Sequence, residues 1–208
     1  FHINFIIVCF FGYVTNNYKI NMKTITLITL FVGALAFITN AYASISANLG
    51  VNTEYYWRGQ SQSAGEATVN GGFDYAGEGY YAGVWTSSMG GSNTETDFYI
   101  GTEINGFDVG YIKYEYTGAG DFDEWYVGYS LQGFDLFYAV NADDSDADYV
   151  QVSYGLPTIV EGVDASLTYG DDGSFDFIQL DLTVSDVTLS VIDTDAGTQT
   201  ALSYGWSL

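Results

Sequence analysis

The sequence predicts an all-β protein, an antiparallel up-and-down transmembrane β-barrel of about twelve strands. Three observations lead there. Segments after residue 43 alternate apolar with polar residues, tight-turn dipeptides alternate with longer polar links, and a secretory-type leader precedes a remainder with no apolar run long enough for a membrane helix.

The leader comes first in the chain. Met22-Lys23 opens a charged stretch, an apolar run follows from Thr24 to Phe37, and Ala41-Tyr42-Ala43 closes it with an A-x-A pattern. That run falls short of the roughly 20 residues a spanning helix needs. Residues 22–43 are therefore expected to be a signal peptide cleaved after Ala43, leaving 44–208 as a single β-barrel domain bound for the bacterial outer membrane. Residues 1–21 carry a second apolar run, Phe5 to Val14, and begin with Phe, with Met22 a good start site downstream. They are read as upstream sequence, the alternative being an extended leader or an uncleaved anchor.

Composition then removes whole classes of chemistry from residues 44–208. The chain's one Cys and one His are Cys9 and His2, both ahead of the leader. Thiol nucleophiles, His-containing triads and His-ligated zinc are excluded from the domain, and no cofactor is expected. All 26 Asp and Glu lie after residue 43, against Arg58 and Lys113, so nucleic acid is no partner. Yet 48% of the residues are hydrophobic and 18% aromatic, so something must keep apolar side chains apart from the carboxylates.

Strand alternation does this, because successive side chains point to opposite faces. In the first segment, 46–58, Ala47, Leu49, Val51, Thr53, Tyr55 and Trp57 alternate with Asn48, Gly50, Asn52, Glu54, Tyr56 and Arg58. Further strands are expected at 66–76, 80–88, 95–105 and 107–117. The run 80–88 could turn either face outward, and 107–117 places Lys113 and Glu115 on the face of Val109 and Tyr111. At 122–131, Trp125, Val127, Tyr129 and Leu131 oppose Glu124, Tyr126, Gly128 and Ser130, and strands at 134–141 and 147–155 follow. At 162–170, Val163, Ala165, Leu167 and Tyr169 oppose Asp164, Ser166, Thr168 and Gly170. At 175–184, Ile178, Leu180, Leu182 and Val184 oppose Phe177, Gln179, Asp181 and Thr183. A strand at 187–193 precedes 199–208, where Leu202, Tyr204, Trp206 and Leu208 face one way and Ser203, Gly205 and Ser207 the other.

The connections also alternate. Asn105-Gly106, Gln132-Gly133 and Ser185-Asp186 are tight hairpin signals, and between them run links at Gly59–Gly65, Ser87–Thr94, Gly118–Asp121, Ala142–Asp146, Asp171–Ser174 and Thr194–Thr198. Outer-membrane barrels have short turns at one end and longer loops at the other. A soluble β-sandwich or lipocalin-like barrel would show the same periodicity with its apolar face inward. Two features favour the membrane. Tyr55, Trp57, Tyr75, Trp85, Trp125, Tyr154, Tyr169 and Trp206 stand near strand ends, as interfacial girdles do, and the final apolar strand resembles those read by the barrel assembly machinery.

Four ordered motifs carry a family resemblance. The stretch Glu54-Tyr55-Tyr56-Trp57-Arg58-Gly59-Gln60-Ser61-Gln62 is similar to the Y-x-[FW]-R-G-x-S-Q opening of the TorF-type porin family. Gly71-Gly72-Phe73-Asp74-Tyr75, then Gly79 to Ser87, then Phe107-Asp108-Val109-Gly110-Tyr111-Ile112 follow in the family's order. The resemblance implies an outer-membrane barrel and a pore.

The inward-facing positions expected to line that pore are Glu54, Arg58, Asp74, Asp97, Glu103, Lys113, Asp135, Asp164 and Asp181. Carboxylates outnumber bases among them, which predicts a preference for cations. Arg58 is expected either to line a constriction, paired with Glu54 or a neighbouring carboxylate, or to anchor the adjacent loop. Acidic stretches at 143–148, at Asp171-Asp172-Gly173 with Asp176, and at Asp193-Thr194-Asp195-Ala196-Gly197 are expected to be solvated loops. The last begins like a calcium turn, but none continues into a full calcium loop. The expected function is passive diffusion of small solutes, with lipid, small cations and the assembly machinery as partners and no enzymatic activity. The alternatives are a non-conducting structural or adhesin barrel and a soluble secreted β-protein.

Overall fold

The computed structural model describes residues 44–207 apart from 78, 119, 145, 146 and 159, so the expected signal peptide and the residues before it lie outside the described residues. Fourteen strands follow in order: β1 Ser44–Asn52, β2 Tyr56–Trp57, β3 Gln60–Ser61, β4 Thr68–Gly77, β5 Tyr80–Ser88, β6 Thr94–Ile104 and β7 Phe107–Tyr116. The second half comprises β8 Phe122–Leu131, β9 Phe134–Asn141, β10 Asp148–Gly155, β11 Asp164–Asp171, β12 Asp176–Val184, β13 Val187–Thr194 and β14 Gly197–Ser207.

Twelve of these close into an antiparallel barrel in which each strand pairs with its sequence neighbours and β1 pairs both β14 and β4. Closure leaves no unpaired edge. The all-β, up-and-down barrel expected from the alternation is the fold found. The β1–β14 seam extends by backbone contact between Thr53 and Leu202, whose carbonyl accepts the Thr53 amide at 2.8 Å.

The turns confirm the hairpin chemistry. Asn105, Gln132 and Ser185 take left-handed φ of 52°, 51° and 54°, and Gly106 and Gly133 follow at 84° and 86°. Two left-handed residues in succession give the turn whose twist matches the flanking strands. The long and short connections do not alternate perfectly: Leu156 to Val163, holding the chain's one Pro, joins β10 to β11 at the turn end, while only Asp195 and Ala196 separate β13 from β14.

Cross-strand register assigns the faces. Partners share a side, so Gly50, Asn70, Ser87, Glu95, Tyr116 and their equivalents around the ring face inward. The outward set holds Phe73 at 63% exposure and Val69 at 62%. The interior holds the buried cluster of Tyr126, Ala139, Tyr149, Phe177 and Ile192.

One predicted element is wrong in length. The first strand does not run to Arg58; it stops at Asn52, and 53–67 leaves the wall with a small hairpin inside it, Tyr56 paired with Ser61 and Trp57 with Gln60. Arg58 and Gly59 form its turn, with φ of 49° and 76°. The alternation of 53–58 looks like a continued strand because a hairpin arm has the same period of two.

Candidate functional site

The 53–67 loop folds into the barrel mouth and meets inward side chains of strands between β5 and β12. Tyr55 lies against Trp85 of β5, ring centroids 5.7 Å apart. Trp57 packs edge-on against Tyr114 of β7 at 5.7 Å and against Phe122 of β8 at 5.9 Å. Gly59 sits so close to Phe177 of β12 that an added Cβ would stand 2.6 Å from that ring. No larger residue fits there without moving the loop.

Arg58 is the centre of this contact. Its two terminal nitrogens donate to the two carboxylate oxygens of Glu124 on β8, at 2.8 and 2.6 Å, with both side chains nearly buried. The guanidinium also lies 4.2 Å from the Trp57 ring centroid and 3.9 Å from that of Tyr149 on β10. The planar, delocalised cation suits both the bidentate pair and the aromatic faces. Tyr114 donates a further hydrogen bond to Glu124 at 3.1 Å. A recess of about 320 Å³ opens beside the pair, bordered by Asn141, Asp148 and Asp172.

Carboxylates hold the loop in shape. Glu54 accepts from the Ser61 hydroxyl at 2.5 Å and the Gly65 amide at 3.0 Å. Partial burial pushes its carboxyl upward, but hydrogen bonds from Ser61, Tyr56 and Gly65 outweigh this and leave it below its ordinary value. Asp172, in the loop after β11, is likewise raised by burial but drawn below its ordinary value overall by the Ser174 amide and hydroxyl, the Phe175 amide and the Arg58 charge.

Below the mouth, inward carboxylates are held by neutral donors. Asp74 accepts from Tyr99 and, at 3.2 Å, from Asn48. Tyr81 donates to Asp108 at 2.5 Å and meets the Tyr126 hydroxyl. Ser130 donates to Asp135 at 2.6 Å. Asp181 accepts from Ser190 at 2.5 Å and from Gln179 at 2.9 Å. A polar recess of about 580 Å³ runs along the β1–β14 seam, bordered by Asn48, Asn70, Thr183, Thr188 and Ser203.

Of the positions expected to line the lumen, the register turns Asp74, Asp97, Glu103, Asp135, Asp164 and Asp181 to the interior. Lys113 is a correction. It pairs with Phe98 and Asp123 on the outer face, 41% exposed, and its ammonium contacts Glu115 at 2.5 Å. The pattern had correctly joined it to Val109 and Tyr111, but that face is the outer one. Glu54 and Arg58 do enter the mouth, from a loop and not from the end of β1, and Arg58 pairs with Glu124, not Glu54. Tyr55, Trp57 and Trp85, expected in an outer girdle, are interior.

Glu124, Tyr149 and Tyr114 were not singled out by sequence reasoning. A polar-face Glu beside an aromatic strand carries no mark of its partner 66 residues away. Glu95, buried to 1% exposure beneath Tyr55, was also missed. The acidic stretches expected as solvated loops bring together no group of three or more His, Cys, Asp or Glu side chains that could hold a metal ion among the described residues.

A family model described as a bacterial protein of unknown function, Gcw_chp, matches residues 39–204. No curated protein matches the chain.

Proposed function

This chain belongs to the bacterial Gcw_chp family, and from that premise we propose that it is an outer-membrane, TorF-type porin: a narrow, cation-preferring path for passive diffusion of small solutes. The observation that carries the membrane half of this reading is the order of side chains on the outer wall. Ile178 to Val184, Leu136 to Val140 and Leu202 to Trp206 present uncharged outward residues. Outward charges gather at the loop end: Lys113, Glu115, Asp123, Asp148, Asp171, Asp176 and Asp193. At the turn end stand aromatic pairs, Tyr75 with Tyr80, Phe107 with Tyr129, Phe134 with Tyr154 and Tyr204 with Trp206, at centroid separations of 4.5 to 5.4 Å. An apolar band with an aromatic girdle is what a bilayer requires of a barrel and what water disfavours. No helix among the described residues is long and apolar enough to cross instead.

The lumen supports the solute preference. Its carboxylates meet Arg58 as the inward base among the described residues, and Glu124 already engages that base. Rings of acidic side chains favour cations. Twelve strands enclose less than the wide porins do, and the inserted loop narrows the mouth, so conductance is small. Lipid and the barrel assembly machinery are the partners this reading implies.

Reconstitution into a planar bilayer across a KCl gradient tests it: the reversal potential takes the sign for potassium preference. A chloride-selective potential overturns the charge assignment. Zero conductance in both the full chain and a variant lacking 55–64 favours the second reading, a non-conducting structural or adhesin barrel, which the filled mouth also fits.

A further inference from the structure

Glu95 and Asp97 stand two residues apart on β6, so both side chains face inward on the same side of the wall. Glu95 is 1% exposed and Asp97 8%. The Tyr116 hydroxyl donates to Glu95 Oε1 at 2.9 Å, and Tyr55 from the inserted loop adds a second hydrogen bond to the same side chain. Glu95 Oε2 and Asp97 Oδ1 accept no hydrogen bond from any protein group. Two buried carboxylate oxygens, on residues that share the inner face of β6, are thus without a protein donor, and the inward base Arg58 is bound at both terminal nitrogens by Glu124.

A buried carboxylate without a counter-charge is costly, and two side by side are more so. We propose that the paired open oxygens of Glu95 and Asp97 form a binding site for a hard divalent cation, calcium by preference. An all-oxygen donor set excludes soft metals. Calcium accepts irregular geometry and mixed carboxylate, hydroxyl and water ligands, whereas magnesium demands a near-ideal octahedron that two carboxylates on one strand do not preorganise. One divalent ion cancels the charge of both acids. Tyr55 of the inserted loop bonds Glu95, so binding ties the loop to β6 and adds to the latch that Arg58 makes two strands away on β8. The site stands on the folded barrel alone and not on conduction.

Terbium replaces calcium in oxygen sites and emits when excited through a nearby indole, and Trp85 lies next to Asp97 in the register. The full chain, folded in detergent micelles, is titrated with terbium under tryptophan excitation. Saturable emission displaced by calcium is expected. The Glu95→Gln/Asp97→Asn variant shifts half-saturation upward by about tenfold or more, and Asp97→Asn alone gives a partial shift should the double variant not fold, as judged by heat-modifiable mobility. Trp85→Phe loses the sensitised emission and keeps the affinity, read there by isothermal calorimetry with calcium. Absent emission in the native chain, or emission unchanged in both acidic variants, overturns the site and shows the pair to be held by protons; neither outcome bears on whether the barrel conducts.

Discussion

At the scale of single residues, Arg58 joins the inserted loop to the wall. Truncation to Ala strands the Glu124 carboxylate in a site where its side chain is 6% exposed. Breaking a buried pair in this way costs about 3–5 kcal/mol, here charged against the closed position of the loop. Arg58→Lys recovers only part of this, because one ammonium cannot make both hydrogen bonds or lie flat between Trp57 and Tyr149. Hydrogen exchange of the Tyr56 to Ser61 amides should rank native slowest, then Lys, then Ala. Glu54 adds a pH-dependent term. Its folded value is lowered, so its contribution is fully present above its ordinary 4.5 and is lost as pH falls through the lowered value. The Gly65 amide, which Glu54 accepts, should exchange faster in Glu54→Gln than in the native chain at neutral pH, with the difference vanishing in acid.

At the scale of elements, the strands leave room for inward rings by placing glycine opposite them. A Cβ at Gly110 would lie 2.4 Å from the Tyr126 ring and 2.7 Å from the Ile100 carbonyl. The carbonyl belongs to the β6–β7 ladder, and the Tyr126 hydroxyl is tied to Tyr81, so neither can retreat freely. Gly110→Ala should destabilise the barrel by about 1–3 kcal/mol, as overpacking does. Gly120→Ala, with nothing within 4 Å, should be neutral. Urea unfolding of both variants in detergent checks the contrast. The same view explains the error in β1. Residues 53–58 keep the alternation, but Tyr55 and Trp57 find better partners across the lumen, in Trp85, Tyr114 and Phe122, than on the wall's outer face.

At the scale of the molecule, the two faces of the wall should respond oppositely to charge. Leu167 and Leu180 are outward cross-strand partners, and Ser166 and Thr183 are inward. On the proposed membrane reading, arginine on the outer face costs about 2–4 kcal/mol near mid-bilayer, whereas the acidic interior accommodates it. Leu167→Arg and Leu180→Arg should impair assembly, read as loss of the heat-modifiable band, while Ser166→Arg and Thr183→Arg assemble. Equal tolerance would reverse the assignment of the faces. The strand order, the tight turns and most of the inward carboxylates were legible in the sequence, because alternation, turn dipeptides and nearest-neighbour pairing are all local. Side choice was legible too wherever one face was free of charge, and failed at Lys113, where charge and apolar residues share a face near the strand's loop end. What only the closed barrel decided is the interior beneath the mouth: the bond from Arg58 to Glu124, the burial of Glu95 and Asp97 under Tyr55, and the inward turn of Trp57 and Trp85. These contacts join β5 through β12 to a loop that precedes them all, and no sequence period reports which residues meet across a lumen, because that distance is set by strand number and stagger and not by spacing along the chain.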